Sequence, residues 1–345
     1  MFTKKIINWY LDNYRKLPWR ETKGPYKIWL SEVILQQTRV DQGLPYYEKF
    51  IANFPKVEDL ANAKEQTILK LWEGLGYYSR ARNLHFSAKY IVNELNGDFP
   101  KSYKTLLTLK GVGEYTAAAI ASFAYKEQVA AIDGNVYRVL SRFFGITAAI
   151  DSGEGKKQFK ELANTLIDSK NPDTFNQAIM EFGATVCKPK LPMCDSCIFN
   201  NSCFALAHKK IQNLPYKKGK TKVRARYFNY LVFLDENNHT IIKQREGKGI
   251  WQNLYEFPLF ETNKTASEED IKQYLIANYK EKNTVLYNEK PIVHKLSHQH
   301  LYTHFWIVET TALIEKSIAW EGLKNYPFPV LIDNFLKKFN PNKNN

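Results

Sequence analysis

Three groups of residues in this sequence have the types and spacing to do chemistry. Glu32 lies between Trp29-Leu30 and Val33-Ile34-Leu35, so apolar neighbours can shield it from water. Desolvation raises a carboxyl pKa, and a carboxyl that keeps its proton near neutrality is a general acid. Read plainly, Ser31 caps a helix running to Arg39, and Glu32 in its first turn only complements the dipole. Asp133 follows the apolar run Val129–Ile132 and precedes Gly134-Asn135. Alone it reads as a helix N-cap, but its place twenty residues after Gly113 lets it return to the cleft that holds Glu32. Tyr115 stands where it can hold one of these carboxylates. The third group is the four cysteines, Cys187, Cys194, Cys197 and Cys203, spaced Cys-x6-Cys-x2-Cys-x5-Cys. Disulfides are not the expectation inside a cell, and four thiolates serve either zinc or an iron–sulfur cluster. Zinc motifs pair short spacings at both ends, whereas only the middle spacing is short here.

The element that must position the carboxylates is Leu109-Lys110-Gly111-Val112-Gly113-Glu114-Tyr115. Tyr103–Leu109 before it reads as helix, and the alanine-rich Thr116–Ala124 after it has high helix propensity. Gly111 and Gly113 therefore sit in a tight turn whose backbone a ligand can approach, beside a helix start with free N–H groups. That is a phosphate seat; a bare αα-hairpin is the plainer reading. Upstream, Phe2, Ile6, Tyr10 and Tyr14 share one face of a first helix, which breaks at Leu17-Pro18-Trp19-Arg20. Between Leu71 and Arg82, two glycines, two tyrosines and two arginines supply backbone freedom, stacking rings and cations. Such a loop suits a nucleic acid, or equally a turn round a buried tyrosine pair.

Composition narrows the class. With 345 residues the chain is long enough for two domains. Its net charge of +14 favours a polyanionic partner over an acidic-surface binder. It has no apolar run long enough for a membrane span and no secretory leader, so a cytoplasmic protein is expected.

The hairpin, the later aspartate and the cysteine cluster together resemble the helix-hairpin-helix DNA glycosylases, and within them the adenine DNA glycosylases of the MutY type. The resemblance covers nearly the whole chain and is strongest from Leu17 to Cys203. It implies an α + β protein: a mostly helical domain over 1–210 with a [4Fe–4S] loop at 187–203, a basic linker over 211–226, and a smaller α/β Nudix-like domain over 227–345. It makes Glu32 the acid that protonates N7 of a flipped adenine, and Asp133 the carboxylate that stabilises the sugar cation or briefly bonds C1′. Tyr115 and Asn135 position the two. Trp19 and Arg20 wall the base pocket, Gln37 wedges into the duplex, and Leu75 and Tyr77 enter the stack. The four cysteines hold the cluster. The bifunctional members carry a lysine at the place of Tyr115; tyrosine cannot form a Schiff base, so a monofunctional enzyme leaving an abasic site is implied.

The second half reads as strands after the basic stretch Lys209–Arg226. Phe228–Leu234 and Thr240–Arg245 flank Asp235–His239 as a hairpin would. Gly249–Pro258 resembles the start of a Nudix domain, but no Arg-Glu-x-x-x-Glu-Glu box follows, so recognition and not pyrophosphate hydrolysis is implied. The family's Phe-Ser-His loop, which probes the base opposite adenine, reads Leu296-Ser297-His298 here. The implied partner is duplex DNA with an adenine:8-oxoguanine or adenine:guanine mispair, bound by a monomer. Three other classes fit parts of the pattern: a glycosylase/lyase of the endonuclease III type, a DNA-binding module without catalysis, and a zinc protein.

Overall fold

The computed structural model describes residues 2–219, 222–311 and 317–341. The chain divides into two compact units, Met1–Asn62 with Asn83–Gly219, and Ala63–Arg82 with Lys220–Asn345. The segment Ala63–Arg82 thus leaves the helical domain expected over 1–210 and clusters with the second half.

The first unit is helical. Phe2, Ile6 and Tyr10 from the helix Phe2–Asn13 bury against Val136, Val139 and Leu140 of Gly134–Phe144 and Phe175, Ile179 and Phe182 of Pro172–Thr185. The four-residue spacing on the first helix is the stripe that makes this possible. The helices Pro25–Leu35 and Glu114–Tyr125 are apolar on nearly every side, so both are core elements. The alanines of the second let its neighbours approach its backbone.

The hairpin turn forms between Tyr103–Leu106, whose cap Ser102 makes a reciprocal capping box with Thr105, and Glu114–Tyr125. The second helix begins two residues before the alanine run, with Gly113 as its N-cap. Gly111 has φ +82°, and a Cβ there would sit 2.7 Å from the Cβ of Asn83. Positive φ and close packing both demand glycine at that position.

In the second unit two long strands, Arg224–Leu234 and Gln299–Glu309, run parallel side by side, with Arg224 opposite Gln299 and Leu234 opposite Glu309. Leu259–Thr262 pairs antiparallel on the far side of the first; Thr284–Leu286 and Ile292–Lys295 pair antiparallel with the second. Phe228–Phe233 are all buried, as in a strand covered on both faces. The helix Glu268–Tyr279 covers one face through Ile271 and Leu275. On Val330–Leu336, Phe335 stacks on Phe305 at 4.0 Å.

Two local expectations fail here. The first long strand already includes Arg224–Arg226, which sequence assigns to the linker. The hairpin across Asp235–His239 turns as expected, with the Asp235 carboxylate accepting from the Asn237 and His239 amides. Its return limb pairs elsewhere, however: Thr240 opposite Ile318, and Lys243-Gln244 opposite Glu256-Tyr255.

Candidate active site

Glu32 does not sit in a first helical turn. Its helix starts at Pro25, whose ring presets the first helical φ, with Gly24 as N-cap. Ser31 is therefore interior, its hydroxyl donating to the Ile28 carbonyl at 2.7 Å. Glu32 lies near the C-terminal end, where the helix dipole disfavours an anion. Only 8% of it is exposed. Burial raises its pKa to about 7; the nearby Asp133 adds to the rise, while a hydrogen bond with Tyr115 and the charge of Arg20 oppose it.

Asp133 is both an N-cap and a wall of the site. Its Oδ1 accepts from the amides of Asn135 (2.9 Å) and Val136 (2.8 Å), and its Oδ2 from Asn135 Nδ2 (2.6 Å). Burial pushes its pKa up, against these three donors and the charge of Arg138. Donors of this kind favour the ionised form and oppose that rise. Asn135 is itself fixed. Arg138 donates to its Oδ1 at 2.7 Å, and a Cβ on Gly183 would lie 2.6 Å from its Cβ.

These groups line one cavity of about 190 Å³ together with Trp19, Arg20 and Glu181. Trp19 is buried edge-on against Tyr47. Arg20 donates to Glu181 at 2.7 Å and to the Arg15 carbonyl at 2.9 Å. Glu181 also takes a two-point contact from Arg15 at 2.6 and 2.8 Å. Burial alone would raise its pKa, but the hydrogen bonds from Arg15 and Arg20 outweigh it and hold it down to about 2. Glu181 is a site residue that the sequence reading missed. Its one signal is a lone acid inside Ala178-Ile179-Met180-Glu181-Phe182-Gly183. The Tyr115 hydroxyl lies 3.4 Å from Met180 Sδ, and burial lifts its pKa well above 10. Among the described residues, no lysine lines the cavity. The arrangement can donate one proton from Glu32 and face a developing cation with Asp133.

The four cysteines line a second, small cavity with Arg142, whose Nη1 lies 3.5 Å from Cys187 Sγ. The Phe199 amide points at Cys197 Sγ at 3.4 Å. Donors aimed at sulfur suit thiolate ligands. Among the described residues, no three His, Cys, Asp or Glu side chains are gathered as a single metal ion requires.

A model of the HhH-GPD superfamily base excision DNA repair proteins matches residues 30–165, and a NUDIX domain model matches residues 229–338. The adenine DNA glycosylase of Buchnera aphidicola subsp. Baizongia pistaciae is 36% identical over 99% of this chain and 98% of its own. The chain belongs to the adenine DNA glycosylase family. The human adenine DNA glycosylase is 42% identical over 59% of this chain, a stretch that is 39% of that protein. Among solved structures, a thermostable thymine-DNA glycosylase aligns with TM-score 0.56 and 31% identity over 60% of this chain and 95% of that one. An endonuclease III–DNA complex aligns with TM-score 0.53 at 19% identity over 60% of this chain and 94% of that one, which speaks for the fold alone.

For an adenine DNA glycosylase, the remaining sequence candidates fall in distinct places. Gln37 is not on a helix face. It is exposed just past the helix end, with φ +58°. Leu75 and Tyr77 part company: Leu75 is buried in the turn closed by its amide on the Trp72 carbonyl, whereas Tyr77 is 47% exposed with φ +46°. Leu75 is therefore not presented to a ligand. In the same unit Tyr77 Oη and Ser297 Oγ hydrogen-bond at 2.5 Å. They line a cavity with Leu296, His298 and Trp251. Gly111 and Gly113 are exposed at the hairpin turn of the other unit.

Proposed function

We propose that this enzyme excises adenine mispaired with 8-oxoguanine, or with guanine, from duplex DNA, and does so without cutting the strand. The observation that carries this reading is the pairing of a buried Glu32, its pKa near 7, with an Asp133 held by three N–H donors in one cavity beside Trp19, Arg20 and Glu181. Glu32 gives its proton to N7 of the flipped adenine. The C1′–N9 bond breaks with its electron pair going to the base, and Asp133 faces the cation left on the sugar. Water adds to C1′ and passes a proton to the Glu32 carboxylate, which restores the acid. Tyr115 and Asn135 position the carboxyls. Trp19, Arg20 and Glu181 hold the base, the last two offering a fixed donor and acceptor at its edge.

Tyr77 and Ser297 are the groups we assign to the opposite base. A hydroxyl can both donate and accept, as N7–H and O8 of 8-oxoguanine require. Leu296 in place of an aromatic ring makes a stacking part for that position unnecessary to the reading. Gln37, at left-handed φ on an exposed turn, is assigned to the gap beside the flipped base, and Gly111 and Gly113 to a phosphate. Cys187, Cys194, Cys197 and Cys203 would hold a [4Fe–4S] cluster, whose contribution is to fix a loop bearing Lys188 and Lys190. The enzyme works as a cytoplasmic monomer on this reading.

The test is single-turnover cleavage of a duplex carrying adenine opposite 8-oxoguanine, worked up with and without hot alkali. Breaks only after alkali support the reading. Breaks without alkali overturn its monofunctional part, and none in either workup overturns the substrate. Visible charge-transfer absorption with four irons per chain supports the cluster; a colourless, zinc-loaded protein prepared without oxygen overturns it.

A further inference from the structure

A second groove lies on the other side of Tyr115. Its volume is about 530 Å³, and Tyr115 is common to its lining and to that of the catalytic cavity. Val129, Ala130 and Ile132, from the irregular segment that leads to Asp133, line it. Glu114, the first residue after the hairpin cap Gly113, stands at its edge. Two rings, Tyr103 and Tyr137, and three cations, Lys156, Lys157 and Lys160, complete the wall. Tyr137 is braced edge-on against the fully buried Phe159 at 5.0 Å.

Charge in the groove is unbalanced. Lys160 reaches Glu114 at 3.3 Å and lies 5.7 Å over the Tyr103 ring. Lys157 makes only an exposed 4.0 Å contact with Glu161, of a kind that contributes little. Lys156 has no ion pair among the described residues. One acid against three cations, with two half-buried rings between them, suits a phosphate joined to a flat-sided apolar group. A nucleotide has that chemistry.

We propose that this groove holds the target strand next to the flipped nucleotide, with a backbone phosphate on Lys156, Lys157 and Lys160 and the adjoining deoxyribose against Tyr103 and Tyr137. The inference rests on the glycosylase reading and adds to it a strand-holding site. Because Tyr115 and the segment leading to Asp133 form its walls, a strand seated there brings the next sugar between those two residues. The groove thereby acts as a positioning site for C1′.

The experiment measures affinity for a duplex carrying 2′-fluoro-2′-deoxyadenosine, which resists cleavage, opposite 8-oxoguanine, at a series of salt concentrations. Wild type is compared with K156Q/K157Q/K160Q and with K4Q/K5Q/K49Q, which removes three exposed cations that line none of the cavities described. Each phosphate no longer neutralised should flatten the slope of log affinity against log salt by about 0.9. The expected result is a slope shallower by about 0.9 for the groove triple, little change for the control triple, and recovery in K156R/K157R/K160R. Equal flattening in both triples means bulk charge and overturns the proposal. An unchanged slope in the groove triple also overturns it, provided its thermal melt matches wild type; if the melt differs, K160Q alone is used, with a smaller flattening expected and no change counting against the site. Failure of the underlying reading is separable, because then wild type does not cleave the natural adenine duplex at all.

Discussion

Arg138 joins the residue that fixes Asp133 to the first cysteine of the four-cysteine loop. Its Nη2 donates to Asn135 Oδ1 at 2.7 Å, and its Nε donates to the Cys187 carbonyl at 2.6 Å. The same Nη2 reaches the Gly183 carbonyl at 2.8 Å. With its Nη1 on the Gly134 carbonyl at 3.2 Å, the guanidinium of this buried residue satisfies four acceptors in the helical unit. A planar fork can do this and an ammonium cannot.

Arg138→Lys should keep the charge and lose the fork. The expected outcome is a single-turnover rate down at least tenfold, with Asn135→Ala equally slow and the double variant no slower than either. Non-additivity of this kind marks residues that act as a unit. Additive losses in the double-variant cycle would show that Arg138 does not work through Asn135.

Glu32 predicts two opposite pH effects. The acid role we propose for it needs the proton, so the single-turnover rate should be level below pH about 7 and fall about tenfold per pH unit above it. Its stability effect has the sign of a raised carboxyl: the folded state binds the proton more tightly, so stability is lost as pH rises from 4.5 towards 7. At about 1.4 kcal/mol per pH unit this is at most about 3 kcal/mol. Glu32→Gln should abolish excision yet resist urea better than wild type at pH 8. Equal stability of the two at pH 8 would show that Glu32 is not held in a desolvated site.

Tyr115→Phe removes the hydrogen bond that lowers the Glu32 pKa. The alkaline limb of the rate profile should then move to higher pH, while excision persists. Borohydride should trap no abundant adduct with wild type, since among the described residues no lysine lines the cavity. A limb that stays in place would mean that Tyr115 does not bear on Glu32.

Glu181 works in the opposite pH range. Its pKa is held at about 2, so its stabilisation is complete above pH 4.5 and is lost as pH falls from 4.5 towards 2. The loss over that window is at most about 3 kcal/mol. Glu181→Gln leaves Arg15 and Arg20 without their partner and should lower stability at pH 7 by about 2 kcal/mol or more, with weaker adenine-duplex binding. Its stability should also fall less steeply with acid than that of wild type, which urea melts at pH 7, 4 and 3 would resolve.

What sequence alone determines here is what depends on residue identity and near neighbours. The tyrosine at 115, the three spacings between the four cysteines, the glycine turn and the cap at Asp133 are all legible in a few consecutive residues, because a cap or turn is made by atoms close along the chain. The two-part α + β layout is legible too, since helical and strand periodicities differ. What only the tertiary structure decides is what depends on burial and on partners distant in sequence. Ser31 looks like a cap but lies inside a helix begun by Pro25, so Glu32 meets the unfavourable end of the dipole. Glu181 gains its meaning from Arg15, 166 residues away. Leu75 is taken into a core while Tyr77, two residues on, is left out. Desolvation and ion pairing are sums over all atoms nearby in space, and no window of sequence contains them.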